Sequence, residues 1–129
     1  MDIKTGDEIW RISSIPGAHD SYCTPVVIPN NGRPAVLFTT YHHGFAHDVE
    51  TGERLWMVKI PLEQPVPDFV ADDDTAYLTG GIHAPAAAAA IRLEGKGDVT
   101  ESHVDWKITK GITGVSSPVL YEGLLYWIT

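Results

Sequence analysis

The sequence predicts an all-β chain built from short antiparallel strands in four-stranded sheets, and three observations predict it. A short phrase returns: Asp2-Ile3-Lys4-Thr5-Gly6-Asp7-Glu8-Ile9-Trp10 and Asp48-Val49-Glu50-Thr51-Gly52-Glu53-Arg54-Leu55-Trp56 both read D-x-x-T-G-x-x-x-W. A degenerate third copy ends at Val104-Asp105-Trp106-Lys107. A second marker, a proline before an apolar run, keeps nearly the same beat at Thr24-Pro25-Val26-Val27, Val66-Pro67-Asp68-Phe69-Val70 and Ser117-Pro118-Val119-Leu120. Between the markers lie short apolar or β-branched runs, Pro34 to Thr40, Thr75 to Thr79 and Leu124 to Ile128, the first two entered from the turn-forming clusters Asn30-Asn31-Gly32 and Asp72-Asp73-Asp74.

Each element follows from local chemistry. In D-x-x-T-G the Asp and Thr side chains can bond turn amides and the glycine can take a positive φ, so the phrase is a hairpin turn, and the tryptophan falls on the strand that follows. Proline is tolerated at the first residue of a strand and not in its middle, which places the three prolines at strand starts. The run Ala86 to Ala90 has the propensity of a helix. It is read as a strand, because the stretch between Pro85 and Gly95 is too short for a stable helix and Ala90 aligns with Ala46 before the turn.

The tryptophans stand about 45–50 residues apart, close to the length of a four-stranded propeller blade. The expectation is therefore a partial antiparallel β-propeller. Residues 1–15 would be the outer strand of a preceding blade, 22–60 and 64–110 two complete blades, and 115–129 the inner strands of a following one. Both ends then fall inside a blade. Since propellers close with about 4 to 8 blades, the chain would not make a ring unaided, and its open edges would invite pairing with a parent protein or another copy.

Composition narrows the partners. With 9 basic and 17 acidic residues the formal charge is -8, and no Lys or Arg cluster could neutralise a row of phosphates, so nucleic acid is not expected. The first residues include Asp2, Asp7 and Glu8 with no apolar run after them, so no signal peptide is read, and no apolar stretch reaches membrane-spanning length. The single cysteine, Cys23, excludes an internal disulfide or a multi-thiolate zinc site.

The stretch Ala46-His47-Asp48-Val49-Glu50-Thr51-Gly52-Glu53-Arg54-Leu55-Trp56 resembles in full the A-x-D-x-x-T-G-x-x-x-W docking motif of quinoprotein propellers. That is the pyrroloquinoline-quinone (PQQ) repeat family, which includes quinone-dependent alcohol dehydrogenases, the propeller lipoprotein of outer-membrane barrel assembly and many secreted bacterial propellers without assigned activity. Ile91-Arg92-Leu93-Glu94-Gly95-Lys96-Gly97-Asp98-Val99-Thr100 with Val104-Asp105-Trp106 resembles that last group. The resemblance implies that Trp10, Trp56 and Trp106 pack between adjacent blades, with Gly6, Gly52, Asp48 and Thr51 forming the turns of the docking motif. The third copy departs from the pattern, with Arg92 in place of the aspartate and a longer connection before Trp106.

The resemblance also implies a periplasmic or extracellular location. The expected role is a non-catalytic scaffold that binds a protein partner or the remaining blades of a parent propeller, or that forms a homo-oligomer if the chain is complete. A PQQ-dependent dehydrogenase with its active-site blades elsewhere is the alternative, and a carbohydrate- or metal-binding module a third. Quinone and calcium would be needed only in the dehydrogenase, and the sequence offers neither adjacent cysteines nor a tryptophan free to cover the quinone ring, Trp127 being read as a packing residue.

Other candidates have plainer readings. His42, His43 and His47 beside Asp48 carry metal-ligand chemistry, but successive strand residues face opposite ways, so they are read as turn and strand histidines. His19-Asp20-Ser21 holds the residue types of a hydrolase triad, yet adjacency in sequence is not the required arrangement, and the stretch is read as a loop. Gly80-Gly81 and Gly95-Lys96-Gly97 precede no helix and are read as turns, not phosphate loops. Cys23 has no basic neighbour to activate it and is read as a small buried residue.

Overall fold

The computed structural model describes residues 1–13, 21–30, 32–82, 86–112 and 114–128. Among them there is no helix, and every sheet hairpin is antiparallel. The first sheet holds β1 (Val26–Ile28), β2 (Ala35–Thr40), β3 (His43–Asp48) and β4 (Arg54–Lys59) in chain order. The second holds β5 (Val70–Ala71), β6 (Thr75–Gly80), β7 (Ala87–Arg92) and β9 (Val104–Ile108). A two-stranded sheet of β10 (Val119–Tyr121) and β11 (Leu124–Tyr126) follows.

The two larger sheets repeat each other in register. Leu37 pairs with Ala46 and Ala46 with Trp56 in the first; Tyr77 pairs with Ala90 and Ala90 with Trp106 in the second. A β-bulge follows the alanine in both, between Ala46 and His47 and between Ala90 and Ile91. An extra residue at the same place bends both outer strands alike. The alanine run is thus a strand, as its alignment with Ala46 required.

Period-two alternation puts Leu37, Ala46, Trp56 and Val58 on one face of the first sheet and Ala76, Leu78, Ala87, Ala89 and Ile91 on one face of the second, and these share a single core cluster. The faces meet at Gly44, where an added Cβ would stand 3.1 Å from Phe69 Cζ and from Val58 Cγ1 and 3.6 Å from Leu78 Cδ2. Small residues at this contact let two backbones approach while Trp56, Leu37 and Leu78 fill the remaining space. The strand starts are joined as well: Thr24 N–H donates to Asp68 Oδ1 (2.6 Å), and Asp68 N–H to Ser117 Oγ (3.1 Å).

Two features differ from the expectation. Residues 1–13 carry the predicted turn but no strand, because among the described residues no strand pairs with them to complete a ladder. The longer connection before Trp106 does not remain a simple hairpin. Its β8 (Gly97–Asp98) pairs in parallel with β4, with Trp56 opposite Gly97 and Met57 opposite Asp98. Val99 N–H then donates to Met57 O (2.9 Å), and Lys59 N–H to Thr100 Oγ1 (2.9 Å). The insertion therefore covers the outer edge of the first sheet, where unpaired amides would otherwise be open to another strand.

The tight contact at Gly44 makes a direct prediction. Gly44→Val forces side-chain atoms into Phe69 and Val58, and should cost about 1–3 kcal/mol of folding stability by overpacking. Urea denaturation measures this, and an unchanged midpoint would show that the two faces are not in contact there.

Candidate functional site

The residues singled out by the repeat build one well-defined structure, the turn from Asp48 to Gly52. Asp48 Oδ1 accepts the amides of Glu50 (3.0 Å) and Thr51 (2.8 Å) and the Thr51 hydroxyl (2.9 Å). The Thr51 hydroxyl oxygen accepts Glu53 N–H (3.2 Å), and Gly52 N–H closes the turn onto Asp48 O (2.9 Å). Gly52 stands at φ 73°, a conformation costly for most residues that carry a Cβ. The Asp2 to Gly6 turn is wired the same way: Asp2 Oδ1 accepts Lys4 and Thr5 amides, Gly6 N–H donates to Asp2 O, and Gly6 has φ 79°.

These bonds favour the charged carboxylates. The Thr51 amide and then its hydroxyl hold Asp48 below the usual carboxylate range, helped by Arg33, whose Nε and Nη2 lie 3.0 and 2.8 Å from Asp48 Oδ2. The amides of Lys4 and Thr5 do the same for Asp2.

Trp10 lies on the Asp48–Gly52 turn. Its Nε1–H donates to Val49 O (2.8 Å), and a Cβ added at Gly52 would stand 2.8 Å from Trp10 Cδ2 and 3.0 Å from Cε3 and Cγ. Glycine here therefore serves twice, by its positive φ and by the bare face on which the indole rests. Trp56 is fully buried, but at the altered third copy its Nε1 has no hydrogen-bond partner among the described residues. Trp106 touches Tyr77, ring centroids 6.3 Å apart, and is 38% exposed. Trp10 thus rests on a turn, Trp56 is buried in the core, and Trp106 is left partly exposed.

The histidines are separated by their roles. His42 occupies the β2–β3 turn at φ 62° with its ring against Tyr41, whereas His43 Nδ1 faces Tyr41 O (3.1 Å). His47 is buried, stacks on Phe38, and places Nδ1 2.9 Å from Gly52 O, leaving Nε2 without a partner. It is a brace behind the turn. Among the described residues no three His, Cys, Asp or Glu side chains are grouped to hold a metal ion. His42 and His43 do line, with Lys59, Ile60 and Pro61, a recess of about 390 Å³ at that end of the first sheet.

The remaining candidates resolve locally. Cys23 is half-buried, its Sγ accepting Thr39 N–H (3.2 Å). Gly80 is a close-approach site, where a Cβ would meet Pro67 at 2.6 Å. A Cβ at Gly95 would meet Val99 at 2.5 Å. Trp127 Nε1 lies 3.5 Å from Gly111 O. His19 and Asp20 lie outside the described residues.

Sequence reasoning missed three contributors to the turn: the Val49 carbonyl, the Arg33 guanidinium and the His47 ring. A carbonyl leaves no mark in a sequence. Arg33 could have been suspected only from Ala35 pairing with Asp48, which follows from the β2–β3 register. No protein-family model matches the chain, and no curated protein matches it. The likeness to quinone-type repeats therefore rests on the motif residues themselves.

His47 gives the site a pH signature. Burial pushes its pKa below the ordinary 6.5, outweighing the Gly52 hydrogen bond that pulls the other way. A histidine with a depressed folded pKa contributes stability above its unfolded value and loses it as the pH falls below that value towards the folded one. The denaturation midpoint should therefore drop between about pH 7.5 and pH 5.5, and His47→Gln should flatten that slope; an equal slope in both proteins would assign the dependence elsewhere.

Proposed function

We propose that the chain is a segment of a quinoprotein-type β-propeller that acts as a non-catalytic scaffold, its sheets stacking so that the loops at their ends bind a protein or other macromolecule outside the cytoplasm. The observation that carries this reading is the seat of Trp10 on Gly52, with its hydrogen bond to Val49 O. It is the contact that the resemblance implies between successive blades. The register repeated between the two larger sheets and the hydrogen bonds linking Thr24, Asp68 and Ser117 at successive strand starts support it further.

The scaffold role draws on what the side chains of the repeated motif are used for. Asp48 and Thr51 spend their hydrogen bonds inside a turn, His47 turns its Nδ1 to the same turn, and the tryptophans lie in or beside sheet contacts, which supports a structural role for the motif. The extracytoplasmic location rests on the family resemblance.

The non-catalytic part is tested by incubating the folded chain with pyrroloquinoline quinone and calcium. The expected result is an unaltered quinone absorption spectrum and no reduction of an electron-accepting dye with alcohols or sugars. Turnover would overturn the scaffold reading in favour of a dehydrogenase.

A further inference from the structure

The chain contains one completed indole-on-turn contact and both halves of a second that it leaves apart. Gly52 has Trp10 against it at 2.8 Å from where a Cβ would be, whereas among the described residues nothing lies within 4 Å of that position on Gly6, although the two turns share their hydrogen bonds and their positive φ. The exposed indole that could fill it is Trp106. It holds the same register position as Trp56, opposite the bulge-preceding alanine, yet Trp56 is 0% exposed and Trp106 38%.

The surfaces around the two halves are also unpaired. Beside Trp106, Ile108 is 40% exposed, and the free face of the two-stranded sheet presents Val119, Tyr121, Leu124 and Tyr126 at 51% or more. On the other side Ile3, which corresponds to the indole-bonded Val49, is 99% exposed. What covers such a face is shown once within the chain, where the face of the first sheet carrying Trp56 is covered by the next sheet of the same kind.

We propose that a second copy of this chain supplies the missing contact: Trp106 of one copy seats on the Asp2–Gly6 turn of the next, donating its Nε1–H to the Ile3 carbonyl, so that copies associate head to tail. Such a contact joins two different surfaces and leaves the turn open on one copy and the indole open on the other, the condition for a ring or a chain of copies. The inference rests on the propeller reading above, because it extends the repeat contact from within one chain to between two.

The test is complementation, read by light scattering coupled to size exclusion and by tryptophan emission. Asparagine tolerates positive φ, so Gly6→Asn preserves the turn while placing a Cβ where the indole must lie. Trp106→Ala removes the indole from a partly exposed site. The wild-type chain should associate as concentration rises, with its emission shifting to the blue. Each variant alone should be a folded monomer, and an equal mixture of the two should form a one-to-one heterodimer, because the first retains Trp106 and the second the open Gly6 turn.

A folded wild-type monomer throughout the micromolar range, variants that associate as the wild type does, or a mixture that stays monomeric would each overturn the proposal. Those outcomes leave the scaffold reading standing. That reading fails separately, through quinone turnover or through a Gly52→Asn substitution that leaves stability untouched.

Discussion

An indole resting on a glycine that has no side chain is the contact on which the arrangement depends. Trp10 can approach the Asp48–Gly52 turn only because Gly52 presents bare backbone, and Gly52 holds φ 73° in a turn whose amides Asp48 and Thr51 satisfy. Arg33 and His47 brace the turn from either side, the first by its ion pair with Asp48, the second by its contact with Gly52 O. The contact thus couples a distant segment to a hairpin whose geometry is already fixed. Its Nε1–H bond to Val49 O adds direction, worth about 1 kcal/mol net, to a contact that is otherwise only apolar.

The altered third copy shows what happens when the pattern is relaxed. Where Asp48 and Thr51 have their counterparts replaced, near Arg92 and Gly95, the connection lengthens and swings out to pair with β4. Trp56 stays buried, but its Nε1 has no partner among the described residues. A buried donor left unmade costs about 1–3 kcal/mol. The parallel pairing of Gly97 and Asp98, with the amide bonds of Val99 and Lys59 beside it, offsets that loss by covering the edge of β4.

Much of this was legible in the sequence because it is periodic. Strands β2, β6, β7 and β11 fall within a residue or two of their predicted positions, since apolar alternation and turn residues are local signals, and even the alanine run yielded once Ala90 was aligned with Ala46. The turn was legible for the same reason: Asp, Thr and Gly at fixed offsets have one economical way to satisfy a hairpin. The parallel strand β8 was not, because Gly97 and Asp98 carry no strand propensity and are ordered by an edge distant in sequence. Nor was the missing strand in residues 1–13, since a strand exists only where a ladder partner is present. The partner of a motif residue can be a carbonyl such as that of Val49, whose position depends on the fold and not on its own side chain.

The proposed scaffold role and the proposed association between copies both extend this single contact, so the most direct measurement is a double-mutant cycle on it. Stability is measured by urea denaturation for the wild type, Trp10→Ala, Gly52→Asn and the double variant. The strain of asparagine at positive φ is common to both backgrounds and cancels. If the indole rests on Gly52 as described, Gly52→Asn should be more damaging when Trp10 is present than when it is replaced, with a coupling of about 1–2 kcal/mol. Strictly additive effects would mean that the two residues do not support each other, and the account of how the first segment is held on the Asp48–Gly52 hairpin would fail.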